Sequence, residues 1–258
     1  GLAGAVYEEM QISHCAHSKA YVKIEDGCNN RCSYCIIPYA RGRVRSKPLE
    51  ELKNEIASLE KNGFCEIVLV GINLSAYGTD CGSSIVEAVK TAASFDGIKR
   101  VRLGSLEPDH ITDEIIEELA KIPEFCPQFH ISLQSGCDKT LKRMNRHYNC
   151  EEYRNLCKKL RSSFKDTTLT TDLMVGFPGE TQEDFEASLA FAKEIGFEKV
   201  HVFPYSIRPG TPAAKMTNQI EKSEKSRRAA IMIEETEKIR AEFMRKQIGK
   251  VLEVLPEE

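Results

Sequence analysis

The sequence predicts an α/β fold, a partial (β/α)6 barrel. Three observations predict it. Short β-branched runs alternate with helix-length amphipathic stretches from about residue 20 to residue 247, the pattern of a parallel sheet covered by helices. The alternation yields six units rather than eight, which leaves a barrel unclosed. The segments richest in ligand-type residues follow the strands, on the rim where such barrels carry their chemistry.

Residues 20–24 (AYVKI) form the first strand. Pro48 suits a first helical turn and opens a helix to about Asn62, which Gly63 ends. Residues 66–70 are a buried strand, and residues 83–95 a helix capped by Ser83 or Ser84. Residues 100–103 are the third strand, and Thr112 caps a helix to about Lys121. Residues 129–133 are the fourth strand, followed by helices over 138–144 and 150–162. Residues 168–175 are the fifth strand, and residues 181–195 a helix closed by Gly196. Residues 199–203 are the sixth. Residues 220–247 form a long charged helix whose stripe of Met232, Thr236, Ile239 and Phe243 packs on the barrel. Residues 250–255 (KVLEVL) alternate like the start of another strand.

The chain has 258 residues, 41 % apolar and 29 % charged, long enough to bury roughly three quarters of its unfolded surface. No apolar run approaches the ~20 residues of a membrane helix, and the start GLAGAVYEEMQISHC has neither a basic lead nor a sustained apolar core. A cytoplasmic protein with no membrane partner is expected. The first residue is not Met, so a piece of a longer protein is expected. A net charge of −3 argues against a uniformly basic nucleic-acid binder but allows a local basic patch. Ten cysteines without a secretory signal favour metal or redox chemistry over disulfides.

The strongest local signal is Cys28, Cys32 and Cys35, spaced C-x3-C-x2-C directly after the first strand. Three thiolates on one loop can hold three corners of an iron–sulfur cube and leave one metal position open, as catalysis requires. A zinc knuckle borrowing His14 or His17, or unpaired core thiols, are the alternatives.

This motif resembles that of the radical S-adenosylmethionine (SAM) enzymes. The resemblance implies a [4Fe–4S] cluster on Cys28, Cys32 and Cys35, with SAM chelating the open iron and Tyr34 near the adenine. It further implies reductive cleavage of SAM to methionine and a 5′-deoxyadenosyl radical. The longer strings GCNNRCSYCIIPYARGRVRS (27–46), GFPGET (176–181) and PYSIRPGTPAA (204–214) resemble the methylthiotransferases of that superfamily, over about residues 20–250.

The other rim loops supply candidate SAM contacts. Gly71 and Asn73 follow strand two, where radical SAM enzymes offer backbone groups to the SAM amino group; an ordinary tight turn is the alternative. Ser105 and Glu107 follow strand three, and Glu107 could instead pair with an arginine. Gln134 follows strand four, with Lys142, Arg143 and Arg146 beyond it; Arg143 is the candidate for the SAM carboxylate, a solvated basic face the alternative. Val175 and the next glycines bring backbone toward the adenine, while Glu180 starts a helix. Tyr205 closes the mouth, and Arg208 could touch SAM, a substrate phosphate or an acid. Arg41, Arg43, Arg45 and Lys47 form a basic run that either steers RNA phosphates or is a solvated face. The other seven cysteines lack ligand spacing, with Cys65, Cys126 and Cys157 read as buried. His130 and His201 are read as core residues.

Members of the resembled family comprise an N-terminal domain with a second [4Fe–4S] cluster, the radical SAM barrel, and a small C-terminal β domain. Residues 1–19 then read as a linker from a missing first domain, 20–248 as the barrel with its helix, and 249–258 as the start of a truncated C-terminal β domain. The strings CIIPYARGRVRS, GINLSAYG, RLGSLEP and HISLQSG look most like the enzymes that act on threonylcarbamoyladenosine in tRNA. That likeness implies addition of a methylthio group at C2 of the adenine at tRNA position 37, with tRNA and a flavodoxin-like electron donor as partners. Isopentenyladenosine tRNA and a ribosomal-protein aspartate are the alternative substrates. The competing classes are a radical SAM enzyme acting on a small molecule or peptide, and a non-catalytic metal-bound RNA-binding module.

Overall fold

A computed structural model describes Tyr7, residues 19–252 and Leu255. Apart from Tyr7 and Lys19 the expected linker, with His14, His17 and Cys15, lies outside the described residues; of the strand expected at 250–255, Lys250, Val251, Leu252 and Leu255 are described and are not in a strand.

The strands are β1 (Lys19–Lys23), β2 (Glu25–Asp26), β3 (Arg45–Ser46), β4 (Glu66–Val70), β5 (Arg100–Leu103), β6 (Ser105–Leu106), β7 (Gln128–Ile131), β8 (Thr168–Val175) and β9 (Lys199–Pro204). The helices are α1 (Ile37–Arg41), α2 (Leu49–Lys61), α3 (Ile85–Ala93), α4 (Asp113–Leu119), α5 (Asp138–Arg143), α6 (Cys150–Ser163), α7 (Gln182–Ile195) and α8 (Lys222–Arg245). Strands β1, β4 and β5 form one parallel sheet, and β6, β7, β8 and β9 another. The two are halves of one wall. The third stave is the predicted strand over 100–103 continued past a break at Gly104, so β5 pairs with β4 and β6 pairs with β7. The Gly104 N–H still bonds to Leu69 O at 2.8 Å, and the Ser132 N–H to Leu106 O at 3.0 Å. Six parallel staves therefore run in chain order, and no ladder joins β9 to β1 among the described residues. This is the expected partial barrel.

Strand parity sorts the residues. Ala20, Val22, Ile67, Leu69, Val101, Leu103, Phe129, Ile131, Leu169 and Leu173 are buried in one core with the apolar faces of the helices. On α2 that face is Leu52, Ile56 and Leu59, at helical spacing. Among the intervening residues Arg102, His130, Thr170 and Asp172 are polar, whereas Val68 is apolar and buried as well. His130 is half-buried, with Nδ1 3.0 Å from Thr170 Oγ1 and Nε2 3.4 Å from Asp172, and His201 is exposed. Both were expected in the core. Phe129 and Ile131 occupy the core-facing parity of β7, and His130, between them, points to the other face.

Helix starts follow local chemistry. Ser84 and Thr112 accept the N–H groups of Glu87 and Ile115, and Thr181 forms a reciprocal capping box with Asp184. The cap of α3 is thus Ser84 rather than Ser83. Glu180, expected to start α7, lies outside it and is buried against α8. Its Oε1 sits 2.6 Å from Arg228 Nη1 and accepts the Gly176 N–H at 2.9 Å. The expected stripe of α8 is buried at Met232 and Thr236 and only half-buried at Ile239 and Phe243. The short elements β2, β3, β6 and α1 were not expected.

The Arg228–Glu180 pair is buried on both sides, with side chains 6 % and 2 % exposed. Removing one partner of such a pair leaves an uncompensated charge, at a cost of about 3–5 kcal/mol. Arg228→Met is expected to lower unfolding free energy by that amount in denaturant titration, with most of it recovered on adding Glu180→Met. A loss below about 1 kcal/mol would show that the pair does not hold α8 to the loop after β8.

Candidate active site

The three cysteines lie on the loop between β2 and β3, whose ends are clasped by the antiparallel pairs Glu25–Ser46 and Asp26–Arg45. Gly27, at φ +89°, lets the loop leave this clasp, and any Cβ there would collide with Arg43 O. The Cys28 N–H bonds to Gly42 O at 3.1 Å across the base.

Two neighbouring segments then fix the far end. The Ser33 N–H and Oγ donate to the carbonyls of Met144 (2.9 Å) and Arg143 (2.8 Å), at the end of α5. Asn145, in left-handed geometry at φ +57°, donates from Nδ2 to Arg31 O at 2.9 Å. Ser33 O accepts the Ala213 N–H at 2.8 Å from the segment after β9. On the other side, Asn73 Nδ2 lies 3.7 Å from Cys28 Sγ, within reach of a weak N–H···S bond.

Burial pushes the Cys28 thiol up to about 11 and raises Cys35 as well. A metal binding there would displace their protons. Arg146 donates from Nη1 to Cys32 Sγ at 3.2 Å. Among the described residues, no three His, Cys, Asp or Glu side chains are gathered into a ready-made metal site. The donor chemistry fits a thiolate-held iron–sulfur group: three cysteines share one loop, and amide and guanidinium donors face two of the sulfurs.

Beside Cys35 opens a cavity of about 410 Å³, lined by Tyr34, Gln134, Met174, Phe203 and Tyr205 among others, with Arg208 at its edge. The Tyr34 and Phe177 rings meet edge-on at 6.3 Å, and Phe177 and Tyr205 at 5.4 Å. Gln134 holds φ +65°, a strained value for a residue with a side chain. Gln134 Oε1 and Asn73 Oδ1 are buried with no hydrogen-bond partner among the described residues. A mostly apolar cavity with a few polar groups aimed inward is the usual form of a small-molecule site.

The other candidates divide. A Cβ at Gly71 would lie 2.6 Å from Glu25 Oε2, so this glycine makes room for a buried carboxylate. Glu25 Oε2 accepts the Asn73 N–H at 2.7 Å. Burial raises Glu25 to about 7, against the N–H donors of Asn73 and Ile72. Glu107 pairs with Arg146, as the alternative reading allowed. Ser105 is exposed. Arg143 is turned away from the cysteines onto Asp184 (2.9 Å) and Thr140 (2.9 Å), so Arg146, not Arg143, reaches the cluster loop. Val175 is buried, and its carbonyl already accepts the Tyr205 N–H at 2.9 Å. In the basic run, Arg41 and Arg45 each lie 3.6 Å from Asp26, and Lys47 is buried against Glu55; Arg43 is exposed. Glu25 was missed, and Arg146 was passed over for Arg143. The usable signals were an acid at the end of an apolar strand, and Asn145, a residue tolerant of left-handed geometry, just before Arg146.

Residues 22–192 match the family profile described as the radical SAM superfamily. The chain belongs to the radical SAM superfamily. Among curated proteins it is 43 % identical to the threonylcarbamoyladenosine tRNA methylthiotransferase MtaB of Thermotoga maritima, over 98 % of this chain and 58 % of that protein. It is 40 % identical to the tRNA-2-methylthio-N6-dimethylallyladenosine synthase of Clostridium botulinum, over 98 % of this chain and 57 % of that protein. The chain thus spans somewhat more than half the length of these relatives. Its radical SAM fold is also that of solved structures of low identity. The methyltransferase TsrM of Kitasatospora setae superposes with a TM-score of 0.63 at 18 % identity, over 75 % of this chain and 38 % of that one. Coproporphyrinogen III oxidase of Escherichia coli gives 0.59 at 16 %, over 86 % and 52 %.

The raised Glu25 carboxyl makes a pH prediction. Between an unfolded value of 4.5 and a folded value of about 7, the folded chain binds more protons than the unfolded one. Stability from this group is therefore present below pH 4.5 and lost as pH rises through 7, by up to about 3 kcal/mol. Glu25→Gln is expected to flatten the pH dependence of unfolding between pH 5 and 8. An unchanged profile would mean that Glu25 is ionised in the folded chain at neutral pH.

Proposed function

We propose that this chain is the radical SAM core of a tRNA methylthiotransferase. The whole enzyme of which it is the core adds a methylthio group to C2 of N6-threonylcarbamoyladenosine at position 37, next to the anticodon. The observation that carries the reading is the clasped loop presenting Cys28, Cys32 and Cys35 beside the cavity of Tyr34, Gln134 and Tyr205. The local strings around Arg41 and Gly71, together with the 43 % identity to the Thermotoga enzyme, support this substrate. Isopentenyladenosine tRNA is the second reading, favoured by the nearly equal 40 % identity to the Clostridium enzyme.

Cys28, Cys32 and Cys35 would hold three irons of a [4Fe–4S] cluster. When bound, that cluster supplies the electron that cleaves SAM. Asn73 Oδ1 and Gln134 Oε1 offer buried acceptors to a ligand's N–H or O–H groups. Tyr34, Met174 and Phe203 line the cavity and keep water from its walls. Tyr205 is buried at the mouth beneath Lys225, whose Nζ lies 5.0 Å from the ring centre. Arg43, exposed beside the cluster loop, would meet RNA phosphate, while Arg45 and Arg41 serve mainly to close the loop on Asp26. The same proposal includes residues 1–19 as a linker and 249–258 as the start of a β domain. It also includes a second cluster in a preceding domain, a flavodoxin-like electron donor and a cytoplasmic setting. Among the described residues no helix is long and apolar enough to cross a membrane.

Nucleoside mass spectrometry of tRNA from cells with and without the parent gene tests the reaction. Loss of 2-methylthio-threonylcarbamoyladenosine with accumulation of its precursor is expected. Loss of the isopentenyl counterpart instead would select the second reading, and no change in either would reject both. In the reconstituted chain, Cys32→Ala is expected to abolish iron binding and SAM cleavage; full iron content in that variant would refute the ligand assignment. Arg43→Ala is expected to weaken tRNA binding and reduce its salt slope by about 1. An unaltered slope would make Arg43 part of a solvated face.

A further inference from the structure

Arg146 has the most committed side chain in the site. It is 3 % exposed although fully charged, and a buried charge requires partners for all its donors. They are few and specific. Nη2 meets Glu107 Oε2 and, at 3.3 Å, Ser132 O; Nε donates to Tyr148 Oη at 3.0 Å; Nη1 donates to Cys32 Sγ at 3.2 Å and lies 3.4 Å from Glu107 Oε1. The Tyr148 hydroxyl is fixed in turn by the carbonyls of Ser132 (2.8 Å) and Leu133 (2.7 Å). The ring of Tyr148 lies 5.0 Å from the guanidinium carbon. Asn145 holds left-handed geometry immediately before Arg146, while its own side chain bonds the cluster loop at Arg31 O. The guanidinium is therefore aimed at one cysteine by contacts from three loops.

We propose that Arg146 is a positioning residue. Its N–H···S bond to Cys32 holds that sulfur in place and sets the reduction potential of a cluster ligated there. The inference rests on the cluster reading above. A cation donating to a ligand sulfur draws charge from it, and hydrogen bonds to sulfur are among the factors that set iron–sulfur potentials. One-electron reduction makes the cluster more negative, so the Arg146 contact favours the reduced form. The midpoint is higher with Arg146 than without it. The fork geometry matters as well as the charge. The guanidinium must span Glu107, Tyr148 and Cys32 together, which a lysine ammonium cannot do from one point.

The test is an EPR-monitored redox titration of the anaerobically reconstituted chain, without SAM, for the parent, Arg146→Gln and Arg146→Lys, with iron counted in each. Arg146→Gln is expected to keep its iron and titrate at a lower potential, with Arg146→Lys between it and the parent. If Arg146→Gln does not retain iron, Tyr148→Phe, which removes the acceptor that aims Nε, is expected to lower the midpoint by less. Midpoints equal to the parent in the iron-loaded variants would overturn the proposal. So would an unmoved midpoint combined with lost SAM affinity, which would assign Arg146 to cofactor binding alone. Failure of the cluster reading is seen separately, as a parent chain that takes up no iron, and it removes this inference as well.

Discussion

A loop that must present three thiols has to be closed before it can be shaped, and closure here depends on Asp26. Its carboxylate accepts the Gly27 N–H at 2.8 Å and the Lys23 ammonium at 2.7 Å, and lies 3.6 Å from both Arg41 and Arg45. Burial works against the charged form, but the Lys23 and Gly27 donors outweigh it and hold the group below its ordinary range. Joining the ends of a flexible loop costs entropy that grows slowly with length. The Asp26–Arg45 pairing, set inside a two-residue ladder, meets that cost at the base. With the base closed, a few bonds to the loops after β7 and β9 suffice to orient the tip. The basic run beside the cysteines is thus partly structural, because two of its arginines neutralise the acid that shuts the loop.

The same economy explains why the site lies at one rim. Parallel staves all end on the same side, so Cys28 after β2, Asn73 after β4, Glu107 after β6, Gln134 after β7 and Tyr205 after β9 are neighbours despite their separation in the chain. Strain collects there as well. Gln134 has positive φ while its backbone N–H and C=O bridge to Asp172 and Met174 on β8. Such a conformation costs on the order of 1–3 kcal/mol. The bonds to β8 hold it in place, and the buried Oε1 is left without a partner among the described residues.

Some of this was legible residue by residue. The cysteine triplet, the strand alternation and the helix-breaking glycines are local signals, written in spacing and φ preference. Ser84, Thr112 and Thr181 cap their helices because a short hydroxyl can reach an N–H three residues on. Less legible were features that depend on a distant partner. Glu180 reads as a helix-start acid, yet it is held by Arg228, 48 residues away. Gly71 reads as a ligand-contacting glycine, yet Glu25 occupies the space a side chain would need. His130 and His201 read as core because their strands are apolar, yet parity turns both to the other face.

By itself the sequence determined the order of staves and helices, the loop that carries the thiols, and the superfamily to which that loop belongs. The first two rest on periodicity and spacing, which act within a few residues, and the third on the likeness of the loop's motif to that of a known family. Only the tertiary structure decided which charged side chains meet. Arg143 and Arg146 are three residues apart after the same strand, and the same residue type. One goes to Asp184 and the other to Cys32. The difference is a single left-handed residue, Asn145, and the position of acids on other loops, neither of which charge or spacing encodes.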